Sequence, residues 1–250
     1  MTTLQRNATH ERRTGTSDQL RRTATIVGWL FIVTYVTSIA SKVALYPPLF
    51  EGNYVTGPGE DTRVLWGALS EAILIISGIG SATALYAVIK RQHPNLAISF
   101  VAARVMEAVF VGVGILSVLT IVTMRQDYAG TDGEAAAGLT VVGDALIALQ
   151  EWTFCLGPGF VVGVGNGLIL GYIMYRTGLV PRRLAVLGLI GGPLIILSGS
   201  AAMMGFIELD GTWQTVAAIP EFFWELGFGV YLIVKGFRPT ANTAGIVNAR

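Results

Sequence analysis

Long apolar stretches alternate with short polar ones along the whole chain. A helix needs roughly 20 apolar residues to cross the hydrocarbon, because each residue rises about 1.5 Å through a layer about 30 Å thick. Six stretches reach that length: near 24–45, 64–89, 96–123, 152–175, 184–207 and 215–234. Runs such as Leu194-Ile195-Ile196-Leu197 do not alternate apolar and polar residues as barrel strands would. The pattern therefore predicts an all-α, polytopic membrane bundle of six transmembrane helices.

The polar segments divide the chain into three parts. We expect a polar N-terminal tail (1–22), one six-helix transmembrane domain (23–237) and a polar C-terminal tail (238–250). Ahead of the fourth helix, 135–150 is expected to form an amphipathic extension on the outer surface. Within that helix, Gly157-Pro158-Gly159 predicts a kink, because proline removes a backbone donor and clashes one turn back.

Composition supports a membrane protein and excludes several function classes. Charged residues make up only 13% of the 250 residues and mean hydropathy is +0.60, whereas a soluble domain is about 25% charged. The net charge of +1 argues against nucleic-acid binding. A single cysteine, Cys155, excludes an internal disulfide and a cysteine-based zinc site. With only His10 and His93 beside it, we expect no metal site and no cofactor.

Basic residues predict the orientation of the helices. Thirteen of the seventeen Lys and Arg residues belong to the first tail or follow the second, fourth and sixth helices. The opposite loops hold only Arg63 and Arg125. Because basic loops stay in the cytoplasm, both termini are expected there. In an alternative interpretation the first helix is a signal peptide, with Ser38-Ile39-Ala40 as its small-residue cleavage site; the other five helices would keep their orientation.

The three cytoplasmic exits share a pattern that indicates a repeat. A tyrosine lies four residues before a cation in each: Tyr86 and Lys90, Tyr172 and Arg176, Tyr231 and Lys235. Three tandem helical hairpins would produce this pattern. The alternative is that any inner membrane interface favours tyrosine and a snorkelling cation.

Glycines recur every fourth residue in the fourth helix, at Gly159, Gly163, Gly167 and Gly171. Such a stripe forms a groove without side chains, where a neighbouring backbone can approach closely. It is not a nucleotide-binding motif, because no strand precedes it and no helix begins there. We therefore interpret the stripe as a helix-packing face.

Several short motifs, taken in order, resemble a known family. They are Arg21-Arg22 before the first helix, Arg104-Val105-Met106-Glu107 in the third, Pro181-Arg182-Arg183 after the fourth, and Pro220-Glu221-Phe222-Phe223-Trp224-Glu225 in the sixth. The chain from about 21 to 239 resembles the bacterial six-helix membrane proteins grouped as domain of unknown function 4386. The resemblance implies a multi-pass protein of the bacterial inner (plasma) membrane and no assigned activity.

Five polar residues are predicted to lie near the bilayer midplane. Counting 1.5 Å per residue from the cytoplasmic exits places Arg104 roughly 12 Å deep, and Glu107, Glu225 and Asn166 roughly 15–16 Å deep. Glu221 lies one turn further out on the face of Glu225. We refer to Arg104, Glu107, Asn166, Glu221 and Glu225 as the midplane layer. Three other charged residues are expected near the outer interface, where snorkelling or solvation explains them: Lys42, Glu71 and Glu151.

Charge in the midplane layer is unbalanced, since one cation faces three carboxylates. A charge at the bilayer centre costs at least about 2.5–3.5 kcal/mol unless it is compensated. The excess negative charge must therefore be compensated by protonation, by a bound cation or by water. The layer predicts proton- or ligand-binding residues of a small proton- or cation-coupled transporter, or of a protein that binds a small cation or amphiphile.

Three other interpretations remain open. The layer can be a structural lock, in which Arg104 holds Glu107 or Glu225 and Asn166 bridges helices. The protein can be a structural or assembly partner that uses the glycine stripe. A membrane enzyme with paired carboxylates is a weaker hypothesis, because no histidine lies inside a helix and no Ser-His-Asp set is possible there, so no catalytic residue is assigned.

The orientation can be tested by cysteine labelling. In a variant without Cys155, single cysteines at Ser17, Asn53, Thr131 and Thr240 are treated in intact cells with an impermeant maleimide. We expect labelling at Asn53 and Thr131 only, because the basic segments remain inside. Labelling at Ser17 and Thr240 instead would reverse the orientation.

Overall fold

The chain is helical throughout most of residues 3–50, 54–57 and 59–238, which its structure, a computed structural model, describes. The α-helices are Thr3–Ile39, Pro47–Phe50, Asp61–Ile89, Pro94–Tyr128, Glu134–Phe154, Gly171–Thr177, Arg182–Met203 and Thr212–Val234. Three π-helical stretches extend or join them: Ala40–Leu45, Cys155–Val161 and Gly163–Leu170. The predicted C-terminal tail lies outside the described residues from 239 onward.

Six helical segments of the described chain are long and apolar enough to cross a membrane. We number them as spans: Asp18–Leu45, Asp61–Ile89, Pro94–Tyr128, Glu134–Thr177, Arg182–Met203 and Thr212–Val234. Their outward faces expose large apolar side chains such as Ile76, Leu116 and Leu197, which lipid rather than water would cover. The predicted all-α bundle of six spans is confirmed, and it indicates a multi-pass membrane protein.

The six spans form a closed ring in sequence order. Each span packs against the next, and the sixth packs against the first. At the closure, Arg21 donates hydrogen bonds to the carbonyl oxygens of Leu232 and Ile233, at 3.1 and 2.8 Å. Short connections make consecutive spans antiparallel. We therefore distinguish a basic end, where the chain carries Lys90, Arg176 and Lys235, from an opposite acidic end.

Two apolar clusters fill the ring, and a polar layer separates them. The cluster toward the basic end contains Phe100 and Trp224, and the cluster toward the acidic end contains Tyr46 and Ile121. Along the third span, the buried Arg104 lies between Phe100 of one cluster and Ile121 of the other. The ring therefore holds Arg104 and Glu107 at the middle of its height, between apolar layers.

The fourth span is a continuous helix of 44 residues that changes type where Pro158 lies. Its first part, Glu134–Phe154, includes the predicted extension 135–150. The predicted kink falls within the π-helical stretch Cys155–Val161. In an α-helix the proline ring would clash with the carbonyl group one turn back, and the wider π-turn separates these groups.

The glycine stripe of the fourth span faces the fifth span. A Cβ atom at Gly163 would lie 2.8 Å from the carbonyl oxygen of Gly192, and one at Gly171 would lie 3.3 Å from the backbone nitrogen of Leu189. Gly167 likewise adjoins the backbone of Gly192. Around Gly159 the nearest atoms would be 3.7 Å or more away. Close backbone contact therefore involves three of the four glycines.

We expect Gly163→Leu to lower the thermal stability of the bundle in detergent, because the new side chain would occupy space held by the Gly192 backbone. Overpacking of this kind costs about 1–3 kcal/mol. Gly138→Leu is the matched control, since this helical glycine is exposed and has no atom within 4 Å of the added Cβ. Equal melting temperatures for the two variants would show that the stripe is not a packing face.

Candidate functional site

Arg104 is the charged centre of the ring interior. Its Nη1 lies 2.5 Å from Oε2 of Glu107, and the two side chains are only 3% and 8% exposed. Because they are three residues apart on one helix, both point to the same face. The guanidinium also lies over the ring of Phe31 in the first span, 5.9 Å from its centroid. Gly78 of the second span leaves room for it, since a Cβ there would be 2.8 Å from Nη2.

Two hydrogen bonds cross the ring interior between the fourth and sixth spans. Asn166 Nδ2 donates to Oε1 of Glu225. Trp224 Nε1 donates to the backbone carbonyl oxygen of Asn166, at 3.0 Å. Trp224 is fully buried, whereas Glu225 is half-buried. Because these two spans are not neighbours in the ring, the bonds fix their relative height and rotation.

Glu221 is the unmatched member of the midplane layer. Its side chain is 3% exposed, yet neither carboxylate oxygen has a hydrogen-bond partner among the described residues. It lies against glycine backbone: a Cβ at Gly191 would be 2.7 Å from Oε2, and one at Gly167 would be 2.9 Å from it. Gly167, assigned from sequence to helix packing alone, thus also makes room for this carboxylate.

Among the buried polar atoms of the described residues that lack a hydrogen-bond partner, three others belong to or lie near the midplane layer: Tyr35 Oη, Arg104 Nε and Asn166 Oδ1. The Tyr35 ring packs edge-on against Phe222, with centroids 4.9 Å apart, and Phe222 lies between Glu221 and Glu225 in sequence. Tyr35 was missed by sequence reasoning because a tyrosine in an apolar span carries no distinguishing signal. The middle of the ring therefore concentrates polar groups with unused hydrogen-bonding capacity.

A known protein family matches most of the chain. The family described as Domain of unknown function (DUF4386) matches residues 26–236. The chain belongs to this family. The matched range includes the entire midplane layer and parts of all six spans. No curated protein and no solved structure matches the chain.

One sequence expectation for this DUF4386 chain is wrong. Glu71 was expected at the outer interface, where solvation would explain it, but its side chain is 3% exposed. Its Oε2 accepts a hydrogen bond from the hydroxyl of Tyr46, at 2.8 Å. Tyr46 reaches it because Gly67, one turn before Glu71, leaves space for the tyrosine ring. Lys42 and Glu151 are partly exposed, as solvation predicts.

The loop between the first two spans caps the acidic end. Tyr54 is 3% exposed, and its hydroxyl donates to Asp61 at 2.8 Å. Asp61 also accepts a hydrogen bond from Arg125 at 2.6 Å. Burial raises the pKa of Tyr54, and the hydrogen bond to Asp61 raises it further, so the phenol remains the donor. The loop thus closes the side of the ring formed by the second and third spans.

The layer of this DUF4386 protein does not form a metal cage. In the part of the chain that the structure describes, no three His, Cys, Asp or Glu side chains are grouped so that they could hold a metal ion. The carboxylates of Glu107 and Glu225 bind an arginine and an asparagine instead.

We expect Arg104→Gln to destabilise the bundle strongly, because it leaves Glu107 buried without its counter-ion. Breaking a buried pair costs about 3–5 kcal/mol. Arg63→Gln is the matched control: Arg63 pairs with Glu60 at the same three-residue spacing, 3.2 Å apart, but the two side chains are 39% and 64% exposed. Loss of the exposed pair costs about 0–1 kcal/mol. Detergent melting distinguishes the variants, and equal losses would contradict the burial argument.

Proposed function

We propose that this membrane protein is a small proton- or cation-coupled transporter in which Glu221 and Glu225 take up the coupling ion. The observation that carries the proposal is the carboxylate of Glu221, which is buried and has no hydrogen-bond partner within the described part of the chain. Arg104, the cation of the layer, is already paired with Glu107. An ionised carboxylate held there without compensation would cost at least about 2.5–3.5 kcal/mol. A proton or a small cation at Glu221 removes that cost.

A structural lock accounts for four residues of the layer but not for the fifth. Arg104 with Glu107, and Asn166 with Glu225, form the contacts that a lock requires. Glu221 adds no hydrogen bond to either pair. In a purely structural layer an apolar residue at this position would be more stable. A function in ion binding gives Glu221 a reason to be acidic.

Glu225 is suited to exchange the ion with Glu221. The two carboxylates are one helical turn apart on the sixth span, and such neighbours face the same side. Glu225 is half-buried, whereas Glu221 is buried, so Glu225 is the more accessible of the two carboxylates. Its hydrogen bond from Asn166 holds one oxygen and leaves the other for a proton or cation.

The glycine stripe gives less support to a structural or assembly role. Gly163, Gly167 and Gly171 lie against the fifth span of the same chain. A face that is filled within the bundle is not available to a partner helix. For the transporter, we further propose a place in the bacterial inner membrane with both termini cytoplasmic, as the distribution of basic residues favours.

Detergent melting between pH 5 and pH 9 tests ion binding at Glu221. Among the described residues, Glu225 on the same span is the charged group that acts on the Glu221 carboxylate. We expect the wild type to be less stable at pH 9 than at pH 5, because an ionised Glu221 adds a buried, uncompensated charge. At about 2–4 °C per kcal/mol, the difference should be several degrees. Glu221→Gln should reduce this difference.

The same titration distinguishes the coupling ion. Sodium chloride that restores stability at pH 9, where the same concentration of caesium chloride does not, would identify a small cation, and no sodium effect would identify a proton. Glu208→Gln is the control, because it removes one charge from an exposed position near the acidic end. If Glu221→Gln leaves the pH profile as it is in the wild type, Glu221 does not bind the ion and the proposal fails.

A further inference from the structure

A cavity of about 430 Å³ opens into the ring at the acidic end, and the midplane layer does not contribute to it. Its walls come from the first, fourth, fifth and sixth spans and from the segments that follow the first and fifth spans. Lys42, Phe154, Ile195 and Ala218 are among the lining residues. The capping loop fills the side of the ring formed by the second and third spans, so this cavity is the opening left on the other side. Pockets of roughly 300–1,000 Å³ accommodate small organic molecules.

The charges of the cavity lie at its rim and sum to one negative charge. Lys42 and Asp210 form an ion pair there, with side chains 37% and 49% exposed. Glu151, half-buried, adds the second carboxylate. Deeper in the cavity the wall is mainly apolar, including Pro158 and Ile195. A molecule that fits this distribution has a cationic head and an apolar body.

The rim already accommodates an ammonium group. The Nζ atom of Lys42 lies 4.4 Å from the centroid of the Phe154 ring while it pairs with Asp210. An aromatic face together with a carboxylate is the environment that recognises organic ammonium ions. The side chain of Lys42 is flexible and partly exposed, so its ammonium can move away from Phe154 and Asp210. The ammonium of a ligand can then take its place.

The cavity leads toward the carboxylates of the layer. Gln214 and Ala218 line it, and Glu221 comes three residues after Ala218 on the same helix face. That spacing corresponds to a rise of about 4.5 Å along the sixth span. On the fifth span, Ile195 of the cavity lies one turn from Gly191, which adjoins Glu221. A cation that descends from the rim therefore approaches Glu221.

We infer that the cavity is the substrate site for a small organic monocation with an apolar body. Phe154 and the carboxylates of Glu151 and Asp210 bind its ammonium, and the apolar wall binds its body. The inference rests on the proposed transport function only for the step after binding, in which the cation competes with the coupling ion for Glu221. Binding itself depends on the rim and the wall, so it can be tested without transport.

Cys155 provides the reporter for binding, because it is the single cysteine of the chain and lines the cavity. Purified protein in detergent is labelled with a water-soluble methanethiosulfonate reagent, with and without benzyltrimethylammonium as the probe. We expect the probe to slow labelling. Neopentylbenzene, its uncharged isostere, should require about tenfold higher concentration for the same protection, since it lacks the cation–π and carboxylate attraction. Equal protection by the two compounds would overturn the inference.

Two variants locate the protection. Asp210→Asn removes a rim carboxylate and should weaken protection by the probe about tenfold, whereas Glu208→Gln, the same charge change outside the cavity, should not alter it. Ala218→Trp fills the cavity and should abolish protection. A normal melting temperature shows that a variant is folded, and protection that persists in folded Asp210→Asn would overturn the inference.

Proteoliposomes that contain a pH-sensitive dye separate this inference from the proposed function. We expect benzyltrimethylammonium to drive a proton flux in the wild type that Glu221→Gln lacks, although Cys155 of that variant stays protected. Protection without any wild-type flux would support the cavity and contradict proton-coupled transport. Flux without protection would support transport and overturn the cavity as its substrate site.

Discussion

The bundle depends on the neutralisation of the Arg104 guanidinium within an apolar ring. Three spans adapt to this one group: the third supplies Glu107 at 2.5 Å, the first supplies the face of Phe31, and the second supplies the space at Gly78. A buried charge that loses its partner is far more costly than an exposed one. The closed ring keeps the guanidinium away from lipid, and this explains why apolar clusters lie on both sides of the layer rather than through it.

Glycine has a second role in this fold besides helix packing. Large polar side chains meet backbone instead of side chains: Arg104 at Gly78, Glu221 at Gly191, and Trp224 at Gly188, where a Cβ would lie 2.7 Å from Nε1. At each contact a side chain would displace the polar group from the ring interior. Gly78, Gly188 and Gly191 therefore belong to the surroundings of the polar layer.

Sequence reasoning identifies the spans, and because helices rise uniformly, counting residues from an exit predicts that Arg104 and Asn166 lie at similar levels. It does not identify partners across the ring, since these depend on which spans face one another. The hydrogen bond between Asn166 and Glu225 is of this kind. The burial of Glu71 could not be predicted either, because it results from contact with Tyr46. This tyrosine lies in a segment whose sequence indicates only an irregular loop. The cavity is formed by residues of four separate spans, so no single segment of the sequence indicates it.

The pairing of Arg104 with Glu107 within one span has a consequence for biosynthesis. Helices enter the membrane in the order in which the ribosome makes them, and the third span carries its cation together with its own counter-ion. It can therefore partition into lipid as a neutral unit before the later spans exist. Glu221 and Glu225 arrive last, on the sixth span, when Asn166 is already in place and only the closure of the ring remains. Arg104, the group that is most costly to bury, thus enters the membrane together with its counter-ion. Glu221 and Glu225, which need the surrounding ring, enter with the last span.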